Sequence, residues 1–461
     1  MRGFVVKALL AVAVTAALVG CTSVAAQSAH ADPGAQINPS TQPMPGTAGP
    51  TPLQQWIDNT VPALPHTGDD QLTALWRGVL SPPTGDPIFD AWPGNLAAAH
   101  PGQILEARDV TATAAPLVAV PIQRAVLLKF RTTSATGTPS FGTATLIVPA
   151  AKWTGPGTRP VQVNALPINS LGAHCTTSYT MAHGIFDKPN TDLGVFLPTV
   201  WAALGQGYAV VLPDHEGPRM AYAEPNIAGH VMLDSIRAVR NSTPNEFTDS
   251  RFTVNGYSGG AIAAYGAAML MNEYAPDLKN ILVGAAAGGL VSDYRDVAHR
   301  FNGNIESGIL LSVVLAMTRE HPEMLQYMNH LAQWVSTSPI KDICGDADGP
   351  LGVAGFPIDI AANIGDPLDS PYAEKMYAQL DMSDRTSGVP LYIYHGGLDW
   401  WLPIEDAEKM YQQQCGKGVP AVFRDVPGEH LIGFLTGYPG LNDWLDARLR
   451  GEPAPNECPA H

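Results

Sequence analysis

Residues 254–266 read VNGYSGGAIAAYG. One serine stands there among small residues, between an apolar, extended-looking run at 252–257 and an alanine-rich, helical-looking run at 259–274. A serine does little for a core, and Gly256, Gly259 and Gly260 weaken both strand and helix. Something other than stability therefore selects the stretch. Gly256-Tyr257-Ser258-Gly259-Gly260 fits G-x-S-x-G with a strand before it and a helix after it, which is the context of a nucleophile elbow. Such a corner lifts the serine Oγ above the sheet, its glycines keep side chains off the corner, and the helix behind it aims N–H groups at developing negative charge.

Working outward from this corner, extended apolar runs at 125–132, 141–149, 160–166, 208–213, 281–287, 391–394 and 422–426 alternate with helical spacing at 229–240 and 404–414. Alternation of this kind predicts an α/β fold, a mostly parallel sheet buried on both faces and flanked by helices. Between 291 and 388 the rhythm breaks, with helical patterns at 305–318 and 324–335 joined by Pro- and Gly-rich links. The first pattern is apolar almost all round, which suits either a buried helix or a cap whose face meets something greasy. The expected organisation is an α/β core at 53–290, a helical cap or lid inserted at 291–388, and the rest of the core at 389–461.

A serine hydroxyl needs a base, and in this architecture the acid and then the base follow the serine along the chain. His395-Gly396-Gly397-Leu398-Asp399 follows the strand at 391–394, which sets Asp399 at the sheet's C-terminal edge as the orienting acid. Glu405 and Asp406 fall inside the next helix and fit less well. Gly428-Glu429-His430 follows the strand at 422–426, which makes His430 the base; His395 competes but precedes the acid. Two oxyanion donors are needed. The Gly259 N–H is one by position, and the loop Pro167-Ile168-Asn169-Ser170-Leu171-Gly172 is the source of the other, although it lacks the HGGG form.

The chain has 461 residues, 45% apolar and only 15% charged, with 41 prolines and 45 glycines. Its net charge of −16 argues against a nucleic-acid partner. Arg2 and Lys7 precede an apolar run from 8 to 20, too short for a permanent span, so residues 1–31 read as an export segment. Two exits compete: a lipobox at Leu18-Val19-Gly20-Cys21, which makes Cys21 a lipidation candidate, and a small-x-small site at Ala29-His30-Ala31. Residues 32–52 read as a flexible tether. Once Cys21 is set aside, Cys175, Cys344, Cys415 and Cys458 are an even set in an oxidising compartment, and three disulfide connectivities remain open. No two of them have metal-ligand spacing, so no metal is expected.

Taken together, these residues resemble the secretory lipase family of the α/β-hydrolase superfamily. The resemblance runs from Asp86 to Cys458. It is carried by Asp86-Pro87-Ile88-Phe89, by His100-Pro101-Gly102-Gln103-Ile104-Leu105, and by Gly205-Gln206-Gly207-Tyr208 leading to Pro213-Asp214-His215-Glu216-Gly217-Pro218. Gly229, Asp234, Arg237 and Ala238 continue it, and the neighbourhoods of Ser258, Asp399 and His430 match in order and spacing. The resemblance implies a helical cap shaping an acyl tunnel, disulfides Cys175–Cys344 and Cys415–Cys458, and no cofactor. It also implies an acidic oxyanion-loop residue where this chain has Asn169, an amide that can donate directly.

The expected protein is an exported serine ester hydrolase, triacylglycerol lipase-like, acting on acylglycerols or other lipid-like esters through an acyl-enzyme. Its expected partners are that substrate and a membrane reached through a lipid on Cys21; the sequence does not indicate an oligomeric state. The competing readings are an esterase or acyltransferase on small non-lipid esters, with the same catalytic residues, and an inactive surface-anchored binding protein, which the intact serine, aspartate and histidine oppose.

Overall fold

The structure is a computed structural model that describes residues 43–66, 70–185 and 191–459. The export segment, Cys21 and the tether up to residue 42 lie outside the described residues. The strands are β1 (Ile104–Asp109), β2 (Ile122–Thr133), β3 (Pro139–Pro149), β4 (Val161–Ala165), β5 (Ala209–Pro213), β6 (Phe252–Tyr257), β7 (Leu282–Gly288), β8 (Leu391–Gly396) and β9 (Ala421–Val426). The helices include α1 (Pro52–Thr60), α2 (Gln71–Val79), α3 (Thr191–Gly205), α4 (Pro225–Ser242), α5 (Gly259–Tyr274), α6 (Ser307–Glu320), α7 (Ile404–Gly416) and α8 (His430–Arg450).

The strands form one sheet in the order β1-β2-β3-β5-β4-β6-β7-β8-β9. The pairs from β1 through β3 to β5 are antiparallel, and every later pair is parallel. The apolar runs have a plain cause. Along β5, Ala209 and Val211 pack on one face of the sheet while Val210 and Leu212 pack on the other, so both halves of the period-two alternation are buried. Side chains of α4, α5 and α7 complete the first core, and those of α3 and α8 the second.

Strand order also positions the site. The chain passes from β4 to β5 on one side and later returns to lay β6 on the other, which leaves a crevice between β4 and β6 at their C-terminal ends. Ala165 pairs with Gly256 there, so the loop after β4 and the serine after β6 leave the sheet side by side.

Among the described residues, the chain between β7 and β8 contributes helices and 3-10 turns but no strand of the sheet. Within it, α6 is apolar all round because it is buried on two sides. Leu315 and Ala316 pack with Leu75, Trp76 and Val79 of α2, and Leu310 packs with Phe301 and Ile358. Burial therefore accounts for Leu310, Leu315 and Ala316, while Ile309, Leu311, Val313 and Val314 are only partly buried. The helix expected at 324–335 is instead a 3-10 segment (Pro322–Tyr327) followed by a helix (His330–Thr337). Asn329 starts the second piece, accepting the Ala332 N–H at 2.9 Å and donating to the Ile360 and Ala362 carbonyls at 2.7 and 3.0 Å.

The part of the chain before β1, whose sequence signals are weak, is tied to the insertion. α2 packs on it through Leu75, Trp76 and Val79. The end of the presumed tether is ordered as well. The Met44 N–H donates to Tyr327 Oη, the Gly365 N–H to the Ala48 and Gly49 carbonyls, and Thr51 caps α1. Disulfides join Cys175 to Cys344 and Cys415 to Cys458, the pairing the family resemblance implies. Among the described residues no helix is long and apolar enough to cross a membrane.

Candidate active site

Ser258 sits between β6 and α5 with φ +54° and ψ −123°, a strained setting for a residue that has a Cβ. The corner closes because its glycines lack side chains: a Cβ on Gly256 would run into the Gly260 carbonyl, and one on Gly260 into the Ala165 carbonyl. Gly259 is the first residue of α5, where a helix has no carbonyl to offer its N–H.

His430 is the first residue of α8, and Glu429 caps that helix by accepting the Leu431 and Ile432 N–H groups. The imidazole lies between the rings of Tyr257 and Trp401, with centroids at 5.2 and 5.1 Å. Tyr257 Oη donates to the His430 carbonyl, which fixes the backbone beneath the ring. His430 Nε2 is 3.0 Å from Ser258 Oγ, and Nδ1 is 2.6 Å from Asp399 Oδ2. With Nδ1 protonated and donating to Asp399, Nε2 presents a lone pair to the serine hydroxyl.

Asp399 follows β8 on a turn in which its Oδ1 accepts the Trp401 and Leu402 N–H groups, both at 3.0 Å. Burial by itself would raise its pKa. Hydrogen bonds from His395 and His430, together with the Leu402 amide, outweigh burial and hold the carboxyl well below the usual carboxylate range. Glu405 and Asp406, the weaker sequence candidates, lie in the first turn of α7, and the His430 bond goes to Asp399.

His395, the histidine that competed with His430 in the sequence, takes a different place. It is fully buried, with Nε2 2.9 Å from the Leu402 carbonyl and 3.3 Å from Asp399 Oδ2. Both imidazoles thus reach the same Asp399 oxygen, Oδ2, and it is His430 that also reaches Ser258. The i, i+4 spacing of His395 and Asp399 was the available signal.

Asn169 follows β4 at φ +49°, with its carboxamide against Gly259: a Cβ there would meet Asn169 Oδ1. That oxygen is buried without a hydrogen-bond partner. Both sequence candidates for the oxyanion site thus lie beside the serine. Elsewhere, His174 Nε2 is 3.5 and 3.6 Å from the sulfurs of Cys175 and Cys344. Those sulfurs are bonded to each other, so neither is a thiolate able to bind a metal.

Comparison with known proteins places this geometry. Residues 191–457 match the family model for secretory lipases. Lipase 10 of Candida albicans is 28% identical over 405 residues, covering 82% of this chain and 84% of the relative. A Mycobacterium tuberculosis protein named "Probable inactive lipase" is 27% identical over 420 residues, covering 89% and 90%. The closed-state X-ray structure of Candida antarctica lipase A superposes with a TM-score of 0.72 at 26% identity, covering 83% of this chain and 90% of that one. The shared fold, the family match over more than half the chain and the serine at its strand-to-helix corner lead to one assignment: this chain belongs to the secretory lipase family, a family of carboxylic ester hydrolases.

Proposed function

We propose that the chain is an exported serine hydrolase that cleaves lipid-like esters, acylglycerols among them, through an acyl-enzyme on Ser258. The observation that carries this reading is the unbroken relay from Ser258 Oγ through His430 to Asp399, at 3.0 and 2.6 Å.

In the first step Ser258 Oγ attacks the ester carbonyl carbon while His430 Nε2 takes the hydroxyl proton. Asp399, held charged, stabilises the imidazolium. The new oxyanion accepts from the Gly259 N–H and from Asn169. An acceptor oxygen with no donor is the poorer setting of a buried carboxamide; turned over, Asn169 places Nδ2 beside Gly259 as a donor. Collapse expels the alcohol, which takes the proton back from His430. Water, deprotonated by His430, then releases the acid. The sequence needs no metal or organic cofactor.

Support for a greasy substrate comes from exposed apolar side chains next to the acid and the base in sequence. Leu398 and Trp400, 75% and 62% exposed, flank Asp399, and the exposed Leu431, Ile432 and Leu435 follow His430. On this reading the insertion at 291–388 is the cap. Export is supported by residues 1–31 and by the family's description as secretory, with Cys21 as the lipid attachment point; labelling with a fatty acid, abolished in Cys21→Ser, checks the anchor. The intact relay also supports activity where one relative is named inactive.

A fluorophosphonate probe tests the core of the reading. It should label the wild type and not Ser258→Ala, and Ser258→Ala and His430→Ala should each remove nearly all p-nitrophenyl ester turnover. Substantial turnover in either variant overturns the assignment.

A further inference from the structure

Pro213-Asp214-His215-Glu216-Gly217-Pro218 runs from the end of β5 into the turn beyond it, and the relay uses none of it. Asp214 has a scaffold role, accepting from Thr143 Oγ1 and the Ser178 N–H. Glu216 is different. It is 2% exposed, its Oε1 accepts the Ser170 N–H at an N···O distance of 3.4 Å, and the adjoining Asn169 amide also favours the charged carboxyl. Its Oε2 is buried without a partner. Burial pushes this carboxyl well above its usual range, while the two amides and the charge of Arg319 pull it back. Stability alone does not explain such a group, since a packed apolar side chain avoids the desolvation cost.

The two amides that face Glu216 belong to the candidate oxyanion loop at its strained point. Asn169 has a positive φ, a setting that persists only where the surroundings over-determine it. On the far side, Ser170 Oγ donates to the Ile168 carbonyl and accepts the Gly345 N–H, and the Leu171 N–H donates to the Ile343 carbonyl at 2.9 Å. The buried Arg319 donates Nη1 to the Leu171 carbonyl at 2.8 Å, and also to the Arg219 and Met220 carbonyls on the chain just after Glu216. The loops after β4 and β5 are thus stitched together by one buried acid and one buried base.

We propose that Glu216 is a positioning residue for ester hydrolysis: by accepting the Asn169 and Ser170 amides it holds Asn169 at positive φ, with its carboxamide against Gly259, and so sets the second oxyanion donor. The proposal rests on the reading of Ser258 as nucleophile. Glu216 does not touch the substrate; it acts through Asn169.

Glu216→Ala, Glu216→Gln and the wild type are compared on a soluble p-nitrophenyl ester, with melting temperatures recorded and each protein titrated with a phosphonate ester. Deleting an oxyanion donor typically lowers kcat by 100- to 1000-fold, and displacing one costs less, so Glu216→Ala should lower kcat by about 10- to 100-fold with KM within about twofold. Phosphonate inactivation should slow in step with kcat/KM. Glu216→Gln keeps a carbonyl oxygen for the same amides and should recover most of kcat. An unchanged kcat in folded Glu216→Ala, or a loss confined to KM, overturns the positioning role alone. Failure of the phosphonate to label wild-type Ser258 overturns the hydrolase reading and this proposal with it. A crystal of the phosphonylated wild type needs no variant to fold. Its P–O oxygen should accept from the Gly259 N–H and from Asn169, with the Ser170 N–H still on Glu216; an oxygen turned away from Asn169 overturns the proposal.

Discussion

Asp399 is buried, yet hydrogen bonds from His430, His395 and the turn's own amides keep it charged, and its consequences can be measured. Its folded pKa is depressed, so the stability it contributes is fully present above the unfolded carboxyl value near 4 and is lost as pH falls through the lower folded value. The unfolding free energies of wild type and Asp399→Asn, measured by urea titration at a series of pH values, should differ by a constant amount above about pH 4.5, and the wild-type advantage should shrink below about pH 4. Activity should fall far more, by about three to four orders of magnitude in kcat, because the amide favours the wrong imidazole tautomer. Asn169→Leu should lower kcat more than it raises KM, by about 100-fold, and an unchanged kcat would remove Asn169 from the site. At this scale Ser258, Asp399 and His430 were legible because the motif, the strand ends and the chain order agree. The structural place of Glu216 was not, since a buried acid looks like any other acid in a sequence; its partners come from a loop 46 residues away.

The strands were legible where both faces are buried. β1 was not: its sequence ILEARD lies at the sheet edge and carries exposed, charged side chains, so neither an apolar run nor clean alternation marks it. The helix expected at 324–335 failed for another reason. Asn329 lies inside the apolar pattern but caps a new helix and ties down two carbonyls of a distant turn, a tertiary role that periodicity does not report. Asn329→Ala should cost about 2–3 kcal/mol by chemical denaturation, more than a cap alone, because the Ile360 and Ala362 carbonyls are left without donors. The disulfides close stretches of 169 and 43 residues, for which the chain-entropy relation gives about 5 and about 4 kcal/mol. Reduction should lower the melting temperature, and a mass unchanged by reduction and alkylation would contradict both bridges.

Over the whole molecule, contacts cross the division the sequence suggested, core then insertion then core. α2 completes the apolar cluster of the insertion, and Trp76 at its centre also donates Nε1 to the Arg319 carbonyl at 3.1 Å. Sequence order hides this contact, since the two partners stand 243 residues apart. Trp76→Ala should destabilise the protein by about 3–5 kcal/mol in urea, because it empties a packed site and strands a carbonyl. The Cys175–Cys344 bridge bears on the whole molecule too. It rivets the Ile343–Gly345 stretch to the chain just past the Asn169 loop, so the two share one fate, like pages in a binding. Cutting the rivet should blur both at once: the Ile343–Gly345 contacts and the setting of Asn169 should loosen in one event rather than two.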